Sequence, residues 1–145
     1  MSRAMSKSLR PVWGIFVILC AVVAVALLVR ALRPSEIIPW RNDFAAAQTE
    51  SRQTSRPVFA YFTADWCAPC QGLKTTTWAD ERVELALRSY VPVRIDVDRH
   101  ADLAGEYGVR AVPTYIILAA DGHALRQVDG ALTPLEMVEW LRGGT

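Results

Sequence analysis

The chain has 145 residues, 52% of them hydrophobic, a length that suits one domain with a short appendage and not two domains. Its 16 Lys and Arg nearly balance its 15 Asp and Glu, but no acid lies among the first 35 residues, so residues 36–145 are mildly acidic. An acidic domain without a basic cluster or a glycine-rich phosphate loop excludes a nucleic-acid-binding protein.

An apolar run comes first along the chain. From Val12 to Val29 there is no charged residue, and as a helix rising about 1.5 Å per residue this run would span about 27 Å, close to the hydrocarbon thickness of a bilayer. We therefore predict a membrane anchor. Two alternatives stay open: a cleaved signal peptide ending near Ala24-Val25-Ala26, and a lipoprotein modified at Cys20, although Cys20 follows Leu19 and not a small residue.

The charges beside the run bear on its orientation. Three Lys or Arg residues precede it and three follow it closely, so their count does not decide between the two topologies. A short basic tail usually stays inside while a long downstream domain is translocated, so we predict a single-pass protein with a periplasmic or otherwise extracytoplasmic domain. The predicted divisions are a basic tail (1–11), the anchor (12–33), a linker (34–41) and a globular domain (42–145).

The first half of the globular domain alternates helix and strand. The predicted elements are a helix over 44–50, a polar break over 51–56, a strand over 57–62, and helices over 68–77 and 81–88. Asn42 or Asp43 can cap the first of these helices, and Asp80 can cap the last. The 57–62 segment is rich in Val, Phe and Tyr with few polar residues, as in a strand buried on both faces.

The second half ends in a hairpin and a helix. The predicted elements are a strand over 91–97, a helix over 99–107 closed by Gly108, strands over 114–118 and 124–128 joined by an Asp121-Gly122 turn, and a last helix. Thr133-Pro134-Leu135-Glu136 is a capping box that opens this helix, with Leu135, Val138 and Leu141 on one face.

The order of the elements predicts an α/β fold. Strands separated by helices favour parallel pairing, and the closing hairpin adds antiparallel strands. We therefore expect a mixed central sheet of about four strands with helices on both faces.

Two cysteines stand between the first strand and the helix after it, in Trp66-Cys67-Ala68-Pro69-Cys70. This spacing suits a dithiol that opens and closes reversibly, because thiolate attack on a disulfide needs one exposed, readily ionised sulfur and a second close enough to resolve the mixed disulfide. Cys67 would lie at a helix N-terminus, whose partial positive charge favours the thiolate. Pro69 would stiffen a first-turn position that tolerates proline.

Other interpretations of the cysteine pair are weaker. A structural disulfide closing so short a loop would add little stability. A zinc site would need two more ligands, and only His100 and His123 are available, at spacings unlike a finger or ribbon. Haem attachment requires a histidine where Gln71 stands. No metal and no cofactor are therefore expected.

The segment from Ala64 to Cys70 resembles the active-site segment of the thioredoxin superfamily. Val112-Pro113-Thr114 resembles the cis-proline loop of that family, and Gly130 before the last helix matches a further family position. The resemblance covers about residues 40–145. Within the superfamily, two segments, Thr63–Cys67 and Trp78–Val83, are most similar in sequence to the C-terminal domain of the bacterial transmembrane thiol:disulfide interchange reductase. They are also similar to small membrane-anchored thioredoxin-like proteins.

This resemblance implies a thioredoxin-like fold and a role for each matching residue. Cys67 would be the nucleophile and Cys70 the resolving thiol, together forming the redox-active disulfide. The residues expected to bind substrate are Trp66, Val112, Pro113 and Gly130, and those expected to tune the site are Asp65 and Pro69. A cis bond before Pro113 would leave the backbone of Val112 free to pair with an extended substrate strand.

One position departs from the family pattern. Thioredoxins usually have a buried Asp six positions before the first cysteine, where it assists proton transfer from the second cysteine. Tyr61 stands there in this chain, so that role has no carboxylate at this position.

The expected function is a membrane-tethered thiol–disulfide oxidoreductase that reduces or exchanges disulfides in extracytoplasmic proteins. Its partners would be protein disulfide or dithiol substrates and a membrane electron donor, because the chain has no flavin or nicotinamide motif. A non-catalytic thioredoxin-fold binding or chaperone module, and a disulfide-donating oxidase, are the alternatives. The sequence does not predict the oligomeric state.

Overall fold

The computed structural model of the chain describes residues 10–32 and 34–143, with side chains from residue 13 onward. Most of the predicted basic tail, Arg33 at the end of the predicted anchor, and residues 144–145 lie outside the described residues. The chain divides into two compact units with the boundary between Arg33 and Pro34.

The first unit contains one helix, α1, over Arg10–Ala31. Its side chains are exposed from Trp13 to Ala31 and apolar all round from Trp13 to Val29, and the 19 residues of Trp13–Ala31 are long and apolar enough to cross a membrane. The predicted apolar helix is thereby confirmed, and its role as an anchor stays a prediction.

The second unit contains four strands and five α-helices among residues 34–143. In chain order they are α2 (Phe44–Thr54), β1 (Val58–Thr63), α3 (Ala68–Leu73), α4 (Glu81–Leu87), β2 (Val91–Asp96), α5 (Ala101–Glu106), β3 (Thr114–Leu118), β4 (Ala124–Asp129) and α6 (Pro134–Arg142). A 3₁₀ turn over Thr77–Ala79 precedes α4.

The strands form one mixed sheet in the order β2-β1-β3-β4. β1 and β2 are parallel, whereas β3 is antiparallel to both β1 and β4. The prediction of about four strands in a mixed sheet is confirmed. The prediction that a strand separated from the previous one by a helix pairs in parallel is wrong for β3, which is antiparallel to β1. A parallel crossover must return the chain over a full strand length, and α5 has only six residues, about 9 Å of helix.

Helices cover both faces of this sheet. On one face, Phe59, Tyr61 and Tyr115 pack with residues of α3, α4 and α6. On the other face, Phe62 and Ile116 pack with residues of α2 and α5. Every residue of β3 is buried, as a central strand covered on both faces requires.

Two predicted helix ends and one predicted helix face are wrong for local reasons. Helix α2 continues through the predicted polar break to Thr54, because Ser51 is fully buried and its hydroxyl donates to the Arg56 carbonyl at 2.5 Å. Helix α3 ends at Leu73 instead of residue 77, since the β-branched run of residues 75–77 disfavours helix. On α6, Leu135 is 58% exposed, and Met137 takes its place in the core beside Val138 and Leu141.

Residues 36–41, predicted to belong to a linker, pack against the second unit. Ile38 is 6% exposed, and its neighbour Ile37 donates a backbone hydrogen bond to the Trp78 carbonyl at 2.9 Å. Trp40 lies against Trp78, with ring centroids 5.1 Å apart. Arg41 forms a parallel bridge with Val93 on β2. We call residues 36–41 the strap.

Candidate active site

The turn between β1 and α3 places Cys67 at the start of a helix. Cys67 is the N-cap residue of α3, and its Sγ accepts a hydrogen bond from the Cys70 backbone N–H at 3.2 Å. The same sulfur is joined to Cys70 in a disulfide. Cys67 therefore occupies the position at which a helix N-terminus stabilises negative charge on a side chain.

The two sulfurs differ in access to solvent. Cys70 is fully buried, while Cys67 retains 3% exposure and follows Trp66, which is 69% exposed. Of the two cysteines, only Cys67 can be approached from outside without moving the helix. This order agrees with the roles predicted for them, which stay predictions.

The loop before β3 forms the opposite wall of the site. The Val112–Pro113 peptide bond is cis, as the resemblance implies, and the Val112 carbonyl oxygen lies 3.6 Å from Cys67 Sγ. Gly130 adopts φ +99°, and its N–H donates to the Pro113 carbonyl at 2.8 Å. The fold thus brings together Cys67, Val112, Pro113 and Gly130, which are far apart in sequence.

Sequence reasoning missed Asp98. Its carboxylate accepts a hydrogen bond from Trp66 Nε1 at 2.9 Å, which holds an exposed indole in one orientation beside Cys67. The order of the elements could have indicated it. Asp98 follows β2, and the carboxyl ends of the parallel strands β1 and β2 lie at the same edge of the sheet, where Trp66 follows β1.

The residues predicted to tune the site surround the start of α3. Pro69 lies within its first turn, and the exposed Asp65 accepts a hydrogen bond from Gln71 Nε2 through its backbone carbonyl at 3.2 Å. The hydrogen bond between Gln71 and Asp65 does not involve Cys67. Their tuning roles stay predictions.

Beneath the disulfide the core is aromatic and contains no carboxylate at position 61. Tyr61 is 2% exposed, stacks on Tyr115 at 5.6 Å between centroids, and lies 5.0 Å from Trp78. Burial raises the pKa of both tyrosines above the ordinary value of 10, so both hydroxyls are neutral at physiological pH. Tyr61 therefore offers a neutral hydroxyl where thioredoxins usually offer an acid.

A groove lies between Trp66 and the Val112 loop. It encloses about 140 Å³ and is walled mainly by apolar side chains, among them Val97, Val109 and Val112. Arg110 is the one charged residue in its lining. Within the described parts of the chain, no group of three or more His, Cys, Asp or Glu side chains is arranged as a metal site.

In this setting the cysteine pair can perform thiol–disulfide exchange. Cys67, the less buried of the two cysteines, accepts a hydrogen bond at a helix N-terminus, Cys70 is joined to it in a disulfide, and the Val112 carbonyl oxygen lies alongside.

Comparison with known proteins agrees with this chemistry. The thioredoxin-like domain family matches residues 44–144. Thioredoxin-2 of Pyricularia oryzae is 38% identical over 79 residues, covering 53% of this chain and 43% of that protein. Thioredoxin of Chlorobaculum thiosulfatiphilum is 33% identical over 93 residues, covering 63% of this chain and 81% of that protein.

A solved structure extends the similarity to a domain of a larger protein. The reduced C-terminal domain of DsbD from Neisseria meningitidis superimposes with a TM-score of 0.62 at 26% identity, over 70% of this chain and 92% of that one. The chain spans less than two thirds of the length of some curated relatives, the Pyricularia protein among them.

Proposed function

Because the chain belongs to the thioredoxin-like domain family, we propose that it is a membrane-tethered thiol–disulfide oxidoreductase that reduces or exchanges disulfides in extracytoplasmic proteins. The observation that carries this proposal is the position of Cys67. Cys67 caps α3 through its sulfur and retains the small exposure that Cys70 lacks, and its Sγ lies 3.6 Å from the Val112 carbonyl oxygen.

The reaction transfers two electrons through the dithiol. The Cys67 thiolate attacks one sulfur of a substrate disulfide, forming a mixed disulfide and releasing the other substrate sulfur as a thiolate that takes up a proton. The Cys70 thiolate then attacks Cys67 Sγ, which releases the second substrate sulfur and leaves the Cys67–Cys70 disulfide. A membrane electron donor supplies the two electrons and two protons that restore the dithiol.

The start of α3 supports the first step. The Cys70 N–H that donates to Cys67 Sγ is a stronger partner for a thiolate than for a thiol, because a hydrogen bond to a charged acceptor is roughly twice as strong. The helix dipole acts in the same direction. Cys67 is therefore the sulfur that ionises and attacks.

The Val112 loop supports substrate positioning. An extended substrate segment can pair with the backbone at Val112 and rest against Trp66, which Asp98 holds in place. Pro113 and Gly130 maintain the loop through the hydrogen bond between them. Because this pairing uses backbone groups, it can orient a substrate disulfide toward Cys67 without depending on the substrate's side chains.

The membrane assignment rests on α1 and on the likeness to the DsbD domain. We propose that α1 is an uncleaved anchor and that the domain is extracytoplasmic. Protease added to right-side-out vesicles should digest the domain, and protease added to inverted vesicles should not. Release of the domain by a carbonate wash would instead identify α1 as a cleaved signal.

Trapping of mixed disulfides tests the catalytic proposal. In membranes, Cys70→Ser should accumulate disulfide-linked partners that reductant releases, because the second step is blocked. Cys67→Ser is the matched control and should trap none. If Cys67→Ser retains partner capture and cellular phenotype unchanged, the protein is a binding module and the proposal fails.

The reduction potential tests the direction of electron flow. We expect a value of thioredoxin type, about −270 mV, and not the strongly oxidising value near −120 mV. Equilibration with glutathione measures it, and a potential above roughly −150 mV would contradict a reductase.

A further inference from the structure

The groove between Trp66 and the Val112 loop combines an apolar wall with a single positive charge. Its volume, about 140 Å³, is close to that of an engineered cavity of about 150 Å³ that accommodates benzene, so one apolar side chain of moderate size fits. Val112, whose carbonyl oxygen lies 3.6 Å from Cys67 Sγ, forms part of the lining. A side chain in the groove therefore belongs to a residue close to the reacting cysteine of the substrate.

Most arginines among residues 34–143 have a hydrogen-bond or ion-pair partner, and Arg110 differs from them. Arg94 pairs with Glu36, Arg88 with Glu84, and Arg99 with Asp96. Arg110 is exposed and makes no hydrogen bond or ion pair with any residue in the ranges 10–32 and 34–143. Its charge is thus available to a ligand at the mouth of the groove.

No acidic residue lines the groove beside Arg110. Asp98, which accepts a hydrogen bond from Trp66, and Asp65 both lie outside the lining of the groove. A substrate carboxylate at the groove would therefore meet Arg110 as its nearest lining charge, and a substrate lysine would meet repulsion.

We propose that Arg110 is a specificity-determining residue that selects disulfide substrates with an Asp or Glu side chain near the reacting cysteine, next to an apolar side chain that enters the groove. This inference rests on the proposed function and names its substrate class. Charges at the rim of a binding surface act mainly on the association rate and lose their effect in salt.

The test uses the full chain in uncharged detergent micelles, reduced beforehand and freed of reductant. Three cyclic disulfide peptides, identical except for Asp, Ser or Lys two residues from one cysteine, report the second-order rate of oxidation of the protein. Wild type should prefer the Asp peptide to the Lys peptide by about three- to ten-fold at low salt, and salt should reduce the ratio.

Charge reversal makes the test specific to the groove. Arg110→Glu should invert the preference and Arg110→Gln should abolish it, with the Ser peptide as the internal reference for active protein. Arg52→Glu is the matched control: it changes the net charge equally, but Arg52 lies near the end of α2, outside the lining of the groove. The Arg52→Glu variant should keep the wild-type preference for the Asp peptide over the Lys peptide.

The outcomes separate the two proposals. If wild type reduces all three peptides at one rate, or Arg110→Glu slows all three equally, the substrate selection is overturned while the oxidoreductase function stands. If wild type reduces none of them and none is trapped by Cys70→Ser, the oxidoreductase function itself fails.

Discussion

At the scale of single residues, environment gives two identical side chains different chemistry. Cys67 caps a helix and retains a little exposed surface, whereas Cys70, one turn further, is fully buried. In the proposed mechanism a substrate disulfide meets Cys67 first, and Cys70 then attacks Cys67 Sγ in the mixed disulfide. The proposed order of the two exchange steps agrees with this difference in burial.

Two glycines of the α5 region should respond oppositely to the same substitution. Gly108 has φ +65° and Gly105 is helical, and a Cβ added to either would meet no atom within 4 Å. Gly108→Ala should lower the free energy of unfolding by about 1–2 kcal/mol, because a Cβ disfavours the left-handed region. Gly105→Ala should raise it by about 0.5–1 kcal/mol, because Gly is a poor helix residue.

Urea unfolding of fragment 34–145 measures both effects. The two variants serve as controls for each other, since both add one methyl group to open space within four positions. Equal shifts of the same sign would contradict the argument from backbone conformation.

At the scale of elements, Glu50 connects three segments. Its carboxylate accepts hydrogen bonds from Arg41 of the strap and from Arg56 before β1, each at 2.7 Å. The hydrogen bond from Arg41 is the largest cause that lowers the pKa of Glu50 below its ordinary value of 4.5. Because the pKa of Glu50 is lower in the folded state, its ion pairs with Arg41 and Arg56 stabilise the domain above about pH 4.5. This stabilisation is lost as the pH falls through the folded pKa.

Glu50→Gln should therefore destabilise the domain most near neutral pH. We expect a loss of up to about 1 kcal/mol at pH 7, since the ion pairs are partly exposed, and a smaller loss at pH 3.5. Urea unfolding at the two pH values measures the difference, with the exposed Glu106→Gln as the control that changes little at either. A loss that grew on acidification would refute the sign derived for Glu50.

Elements with local signals could be predicted from the sequence. Asp80 caps α4 and the Thr133–Glu136 capping box opens α6, as expected, because each cap involves residues within three positions of one another. Residues of β3 were predicted with its observed bounds, but its direction was not, since that depends on how far a six-residue helix can carry the chain.

The site divides in the same way. The position of Cys67 at a helix start follows from local sequence, whereas the proximity of Val112 came only from resemblance to a family. Asp98 could have been found only from its place at the end of β2, because its contact with Trp66 depends on the pairing of β2 with β1. Arg110 was missed because its role depends on the groove, which forms only in the folded domain.

At the scale of the whole molecule, the strap makes the second unit begin before residue 42. Ile38 is buried in the core and Trp40 packs on Phe59, Tyr61 and Trp78. Fragment 42–145 should be at least about 2 kcal/mol less stable than fragment 34–145, since deleting one buried Ile side chain alone costs about 2–5 kcal/mol.

A third fragment controls for chain length. Fragment 36–145 lacks only Pro34 and Ser35, which are exposed, and should unfold at the same urea concentration as fragment 34–145. Equal stability of all three fragments would show that the strap contributes nothing.

The bridge between Arg41 and Val93 has a consequence for solubility. Arg41 N–H donates to the Pro92 carbonyl and Arg94 N–H donates to the Arg41 carbonyl, both at 2.9 Å, so the strap occupies backbone groups on the outer side of β2, an edge strand of the sheet. Unoccupied groups of this kind are templates for pairing with another chain. Removing the strap would therefore expose unpaired backbone groups along the outer side of β2, and the shortened protein should aggregate as its concentration rises.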